Sequence, residues 1–331
     1  MSDSKIETFQ PPPPAADALG PRPLHLRMPA VTVFVLGVLV LIGGIAKFIP
    51  GGILTGLAFV CWGVMLFAFS FIRLPRAANA EEPPMSGMQK VMGIFYEPTR
   101  VFGNLRAHPH WLAALLVIGT LNALYFAAFT QRLTPEVIVN YTFDKLAESP
   151  IKPPPEQMDT QKESALQQAT QPIQRIQTAA KSFVTVFVFG SFIAALCLLG
   201  VLAFGGRINF WQAFAATLYA FLPIAVVSKI VSLVILYIKA RDDIHPIIGQ
   251  ETLVQDNLGI LFTPAEHPAL FVLGSAIGIL SFYGLWLRAK GLTNAGQKVS
   301  SSAAWGVTIT LWILGLIFGM IFATLFSSFI S

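Results

Sequence analysis

Apolar positions along this chain fall into seven long runs: residues 28–48, 53–72, 111–130, 183–204, 210–238, 269–287 and 303–329. Each reaches or approaches the ~20 residues that a helix rising 1.5 Å per residue needs to cross ~30 Å of hydrocarbon. A helix satisfies its own backbone hydrogen bonds, as a water-free layer requires. The short alternating segments of a membrane β-barrel are not visible. The pattern therefore predicts an all-α polytopic transmembrane helical bundle of about seven spans. Pro50-Gly51-Gly52 turns the first run directly into the second, so residues 28–73 are expected to form a helical hairpin. Run 210–238 contains Pro223 and is long enough to be one helix or two.

The polar remainder is uneven. Residues 1–27, with Pro11 to Pro14, cannot bury a core and read as a solvated, proline-rich tail. No cleavable signal peptide is evident, so the first run is expected to remain as a span. The stretch 74–110 is a linker. Within it, residues 87–106 place Met88, Val91, Met92, Ile94, Phe95, Val101, Phe102 and Leu105 among basic residues, with a break near Pro98. Two readings stand: an amphipathic helix in the membrane interface, its arginines on anionic headgroups, or a connecting helix packed on the bundle. Residues 131–182 form a long polar loop. Its part 156–181, rich in helix formers apart from Pro172, is expected to extend the fourth span outward.

Composition strengthens the membrane reading. Only 12% of the residues are charged and 54% are hydrophobic, where a soluble domain carries about 25% charged residues. The net charge of +5 comes from residues that flank apolar runs, so it bears on orientation and no nucleic-acid partner is expected. Lys5, Arg22 and Arg27, then Arg73 to Arg106, Arg207, and Arg288, Lys290 and Lys298 all fall on one side of a seven-span layout. The excess of basic residues on that side predicts a cytoplasmic N-terminus and an external C-terminus.

Candidate chemistry is sparse. Cys61 and Cys197 both lie inside apolar runs and form no metal-binding pair. His108 and His110 are separated by the bilayer from His245 and His267, which lie near Asp242, Asp243 and Glu266, and no His-Glu-x-x-His occurs. Phosphate loops and nucleophile elbows are missing too. No enzyme activity, metal or cofactor is expected. Gly274/Gly278 and Gly315/Gly319 have the spacing of close helix packing. Lys229 is the sharpest single residue. It stands about nine residues, or ~14 Å, before the end of its run, with Pro223 six residues earlier. A charge at such depth is a functional candidate, expected to face the bundle interior or a wet cavity. The competing reading is a lysine that snorkels to the interface from a long, tilted helix.

From about residue 95 onward the chain resembles the Yip family, the Ypt/Rab-interacting membrane proteins, in its bacterial form. The resemblance rests on FYEPTRVFGNLRAHPHW at 95–111, on the Gln-rich helix feeding the fourth run with GGRINFWQAFAATLYAFLPI at 205–224, on ILSFYGLWLRAKGLTNAGQKVSSSAA at 279–304, and on a five-span layout. The hairpin 28–73 is additional to that layout. The resemblance implies a five-span domain over 95–331 and a non-enzymatic membrane factor whose eukaryotic relatives bind small GTPases. The expectation is a scaffold or partner-binding protein in a bacterial inner membrane. It would contact the lipid bilayer and a membrane or cytoplasmic protein, with Arg100, Phe102 and Arg106 as interfacial candidates. The alternative is a small-solute transporter or lipid-translocating protein with Lys229 and Pro223 near its pathway.

Overall fold

The computed structural model describes residues 22–23, 27–46, 48–49, 52–71, 73–74, 83–149 and 153–326. Most of the proline-rich tail and the Pro50-Gly51 turn lie outside these residues. Twelve α-helices occur among the described residues, in two units, Met1–Glu81 and Glu82–Ser331. In the first unit, α1 (Arg27–Ile45) and α2 (Gly52–Phe69) pack along each other as the expected hairpin. Glycines bring the two backbones together: a Cβ at Gly37 or Gly63 would lie 2.6 or 2.7 Å from the backbone nitrogen of Val60 or Phe34. Arg22–Pro23 pairs antiparallel with Arg73–Leu74.

The second unit contains α3 (Gly87–Tyr96), α4 (Pro98–Ala107), α5 (Leu112–Leu133), α6 (Pro135–Glu148), α7 (Pro155–Thr170), α8 (Pro172–Ala203), α9 (Phe210–Ile238), α10 (Pro268–Ser275), α11 (Ile279–Ala295) and α12 (Ser301–Leu325). Among the described residues, five helical segments are long and apolar enough to cross a membrane: Arg27–Ile45, Leu112–Leu133, Ala180–Ala203, Phe210–Ile238 and Ser301–Leu325. The central one is α9, which touches α3, α4, α5, α8 and α11 and is buried almost without interruption from Phe210 to Pro223. It is one helix: Pro223 is absorbed without a break.

Side-chain contacts set the directions of the helices. Trp111, just before α5, stacks on Trp211 in the first turn of α9, with ring centroids 5.7 Å apart. Arg132 near the end of α5 donates to the carbonyl of Lys239 just past α9 at 3.4 Å. The two helices are therefore parallel, with an α4 end and an α6 end. By contrast, α11 runs antiparallel to α9: Gly291 sits against Ala216, and Gly284 against Ile224.

The sixth apolar run departs from its expectation. It is not one continuous helix, because α10 stops at Ser275 and α11 starts at Ile279. The cause is an intruding strand of backbone: Leu258 N donates to Ile277 O at 3.1 Å, and Asp256 Oδ2 accepts from Leu280 N at 2.7 Å. Gly274 and Gly278 therefore serve that segment and not a neighbouring helix; a Cβ at Gly274 would lie 2.8 Å from Gly259 N. A Cβ at Gly319 would lie 3.1 Å from Val272, while one at Gly315 would meet nothing within 4 Å. The polar stretch before α8 also differs. Only the part from Pro172 extends the span; α7 is a separate helix packed on α6, with Lys162 Nζ 3.5 Å from Asp144 Oδ1.

Candidate functional site

Two places gather polar side chains against the bundle. The first is the α3–α4 platform. Ser86 and Gln89 form a reciprocal capping box that starts α3, and Pro98 starts α4 where its missing N–H costs nothing. Ile94, Val101, Phe102 and Leu105 are fully buried, so both helices use one face to pack on the bundle. Phe102 lies against Gly291 of α11, where a Cβ would come within 3.1 Å of its ring. The polar side chains of the platform mostly serve backbone groups. Asn104 donates to Pro83 O at 2.9 Å and accepts from Met85 N at 3.2 Å. Gln212 donates to Arg106 O at 2.6 Å, and Arg106 Nε donates to Asn294 O at 3.1 Å. Beside these, the turns 204–209 and 296–300 exchange two hydrogen bonds between Arg207 and Gln297.

Lys90 is wholly buried, and its ammonium donates to His108 O at 2.7 Å. With its charge taken out of water, burial lowers its pKa to about 8. Burial, the Lys90 charge and then His108 also push His110 below the usual imidazole value. Of the three interfacial candidates, Arg100 is exposed and ion-paired to Glu97 at 2.9 Å. Arg106 is exposed at the edge and tied to α11. Phe102 is buried, so its part is to hold α4 in place.

The second place surrounds Lys229. Its ammonium is held by a neighbouring segment of the chain. It donates to the carbonyl of Glu251 and lies 4.5 Å from the ring centroid of Tyr125. The chain reaches this position because residues 244–257, expected to be a solvated outer loop, fold back along α9. Ile244 joins Tyr125, Phe129, Leu133 and Leu236 in a buried cluster, with Leu253 packed against it. Thr252 Oγ1 lies 3.0 Å from Ser228 Oγ and 3.1 Å from Ser232 Oγ, and Ser232 accepts from Leu253 N at 2.9 Å. Continuing the antiparallel pairing of α9 with α11 places the break at residues 276–278 level with Lys229. Pro223 lies on the same helix, buried, about 9 Å away along the axis.

The outer acids and histidines do not converge: among the described residues no three His, Cys, Asp or Glu side chains gather as metal ligands. His245 instead accepts from Ile247 N and Ile248 N at 3.2 and 3.1 Å and faces Tyr141 Oη at 3.1 Å. Sequence reasoning missed Lys90, Asn104, Thr252 and Asp256, and the bond from Gln212 to Arg106 O. Only Gln212 had a readable local signal, the Asn209-x-x-Gln212 capping box.

The model of one family, the Yip1 domain, matches residues 92–323. The chain belongs to the Yip1 family. The Yip1 match starts inside α3 and ends inside α12, so it takes in all of α4 and the returning residues 244–257 and leaves out the α1–α2 hairpin. With its apolar helices, this makes the chain an integral membrane protein in contact with lipid. No curated protein and no solved structure matches it.

Proposed function

We propose that this Yip1-family chain is a non-catalytic adaptor of a bacterial inner membrane, presenting the α3–α4 platform to a protein partner on the cytoplasmic side. The carrying observation is that α4 is fixed to the bundle by buried Phe102 and by hydrogen bonds linking Arg106 to Gln212 of α9 and Asn294 of α11. A connecting linker needs no such fastening; a surface that must keep its shape does. Arg100, Arg106, Arg207, Lys290 and Lys298 all belong to the α4 end of the bundle, which supports a cytoplasmic assignment of that end. The reading needs no cofactor, metal or nucleic acid.

The test is site-specific photocrosslinking from Thr99 or Arg100 in native membranes. A reproducible, near-stoichiometric protein adduct that disappears in Arg106→Glu, with the fold intact, is expected. Adducts to lipid and to the chain itself alone would sink the adaptor reading.

A second reading, a small-solute or lipid-translocating protein, is favoured by one observation: a helix break and an intramembrane ammonium lie at the same level. Flux or lipid scrambling in liposomes that is lost in Lys229→Leu without loss of folding would support it, and equal rates in the two proteins would count against it.

A further inference from the structure

The helix α3 has two apolar faces. Ile94, Gly93 and Lys90 point into the bundle and are buried. On the opposite side Met88, Met92, Phe95 and Tyr96 are 71%, 53%, 41% and 69% exposed. Their i, i+4, i+7, i+8 spacing puts them in one stripe. Packing within the chain accounts for the first face and leaves the second uncovered. Four large apolar side chains in a row on a ten-residue helix are more than scattered surface hydrophobics.

We infer that this outer stripe of α3 is a lipid-binding surface, seated at the headgroup–acyl boundary of the bilayer on the α4 side. Its level fixes the occupant. Gly87, the first residue of α3, touches the first turn of α5: a Cβ there would lie 3.0 Å from the Cβ of Ala113. The stacked Trp111 and Trp211 sit at the same level, and tryptophans concentrate at membrane–water boundaries. Leu112 and Leu116, on the adjoining surface of α5, are exposed and apolar, so the stripe continues the lipid-facing wall of a span. The link from α4 to α5 is only residues 108–111, so the platform stays within ~14 Å of the span. Among the described residues of α3 and α4, Arg100 and Arg106 are exposed beside a single acid, Glu97, so the charge there favours anionic headgroups.

This inference rests on the membrane-spanning bundle and not on the adaptor reading, and the experiment separates the two. The full chain carrying Cys61→Ser and Cys197→Ala receives one cysteine, by Met88→Cys, Met92→Cys or Tyr96→Cys, labelled with an environment-sensitive fluorophore. Gln89→Cys on the flank of α3 and Thr99→Cys on α4 are the controls. The purified protein is reconstituted in phosphatidylcholine vesicles, with or without phosphatidylglycerol, containing lipids spin-labelled near the headgroup. The expected result is blue-shifted emission at 88, 92 and 96, quenched several-fold more than at 89 and 99, and more strongly with phosphatidylglycerol. Water-like, unquenched emission at all three positions in both vesicle types overturns the inference. So does shielding that arises only when other membrane proteins are added, which would make the stripe a protein-docking surface. Because all three positions are exposed, a folding failure at one leaves the other two to decide. Loss of the photocrosslink from Arg100 with unchanged quenching here would remove the adaptor reading alone.

Discussion

The two ends of the Yip1 bundle are built by opposite means. At the α4 end, α3 and α4 are ten residues each, below the length at which isolated helices hold together. They are nonetheless ordered by buried side chains and by Lys90, Asn104 and Gln212, each of which satisfies a backbone carbonyl. At the α6 end, α6 is longer, at 14 residues, yet it has no buried residue. It is held by half-buried Ile138 against the Tyr125 cluster, by the Tyr141–His245 contact, by Arg241 reaching Leu133 O and by the surface pair Lys162–Asp144. Helix length thus says little about which end is firm; what matters is how many side chains reach across to other helices.

Five perturbations sharpen or break this contrast. The largest effect is expected for Phe102→Ala, which opens a cavity between α4 and α11 and should cost about 3–5 kcal/mol; thermal unfolding in detergent reads it. A small loss would mean that α4 is no part of the cooperative unit. Lys90 comes next. Its native pKa, about 8, lies below the ordinary 10.5, so between those values the unfolded chain binds more protons than the native one. Stability therefore rises as pH climbs from about 8 to about 10.5, by on the order of 3 kcal/mol in total. Lys90→Met should flatten that slope. In Lys229→Leu the carbonyl of Glu251 loses its donor, and amide exchange over residues 249–257 should quicken about tenfold, or ~1.4 kcal/mol, while that over α3 and α4 is unchanged. Tyr141→Phe removes one hydrogen bond and should loosen α6 by about 1 kcal/mol, read by proteolysis of the 149–155 link. Lys162→Ala breaks only a surface pair and should cost at most about 1 kcal/mol, less in high salt. If that last change rivalled Phe102→Ala, the comparison between the ends would fail.

The helical class, the N-terminal hairpin and the Yip1 relationship were legible in the sequence because run length and a few turn motifs are local properties. The division of the sixth run was not. Residues 269–287 are apolar throughout, and what splits them is a hydrogen bond to Asp256, from a segment that composition assigns to solvent. Phe102 was readable as apolar on an amphipathic helix, but that it is buried against the bundle depends on Gly291, far along the chain. Lys229 was found by depth alone. Its partner was missed because it is not a side chain: the group that accepts its hydrogen bond is a backbone carbonyl on a returning loop.

The hydrogen bond from Arg106 to Asn294 joins residues 188 positions apart. A chain emerging from the ribosome in order makes α3 and α4 early and α11 near the end. Until α11 arrives, Phe102 has no Gly291 to lie against and one edge of the platform is unclosed. The platform is thus completed by an element synthesised long after α3 and α4. A chain cut short before α11 would keep most of its spans and still display a Phe102 without its Gly291 contact, a mark by which an unfinished copy differs from a finished one.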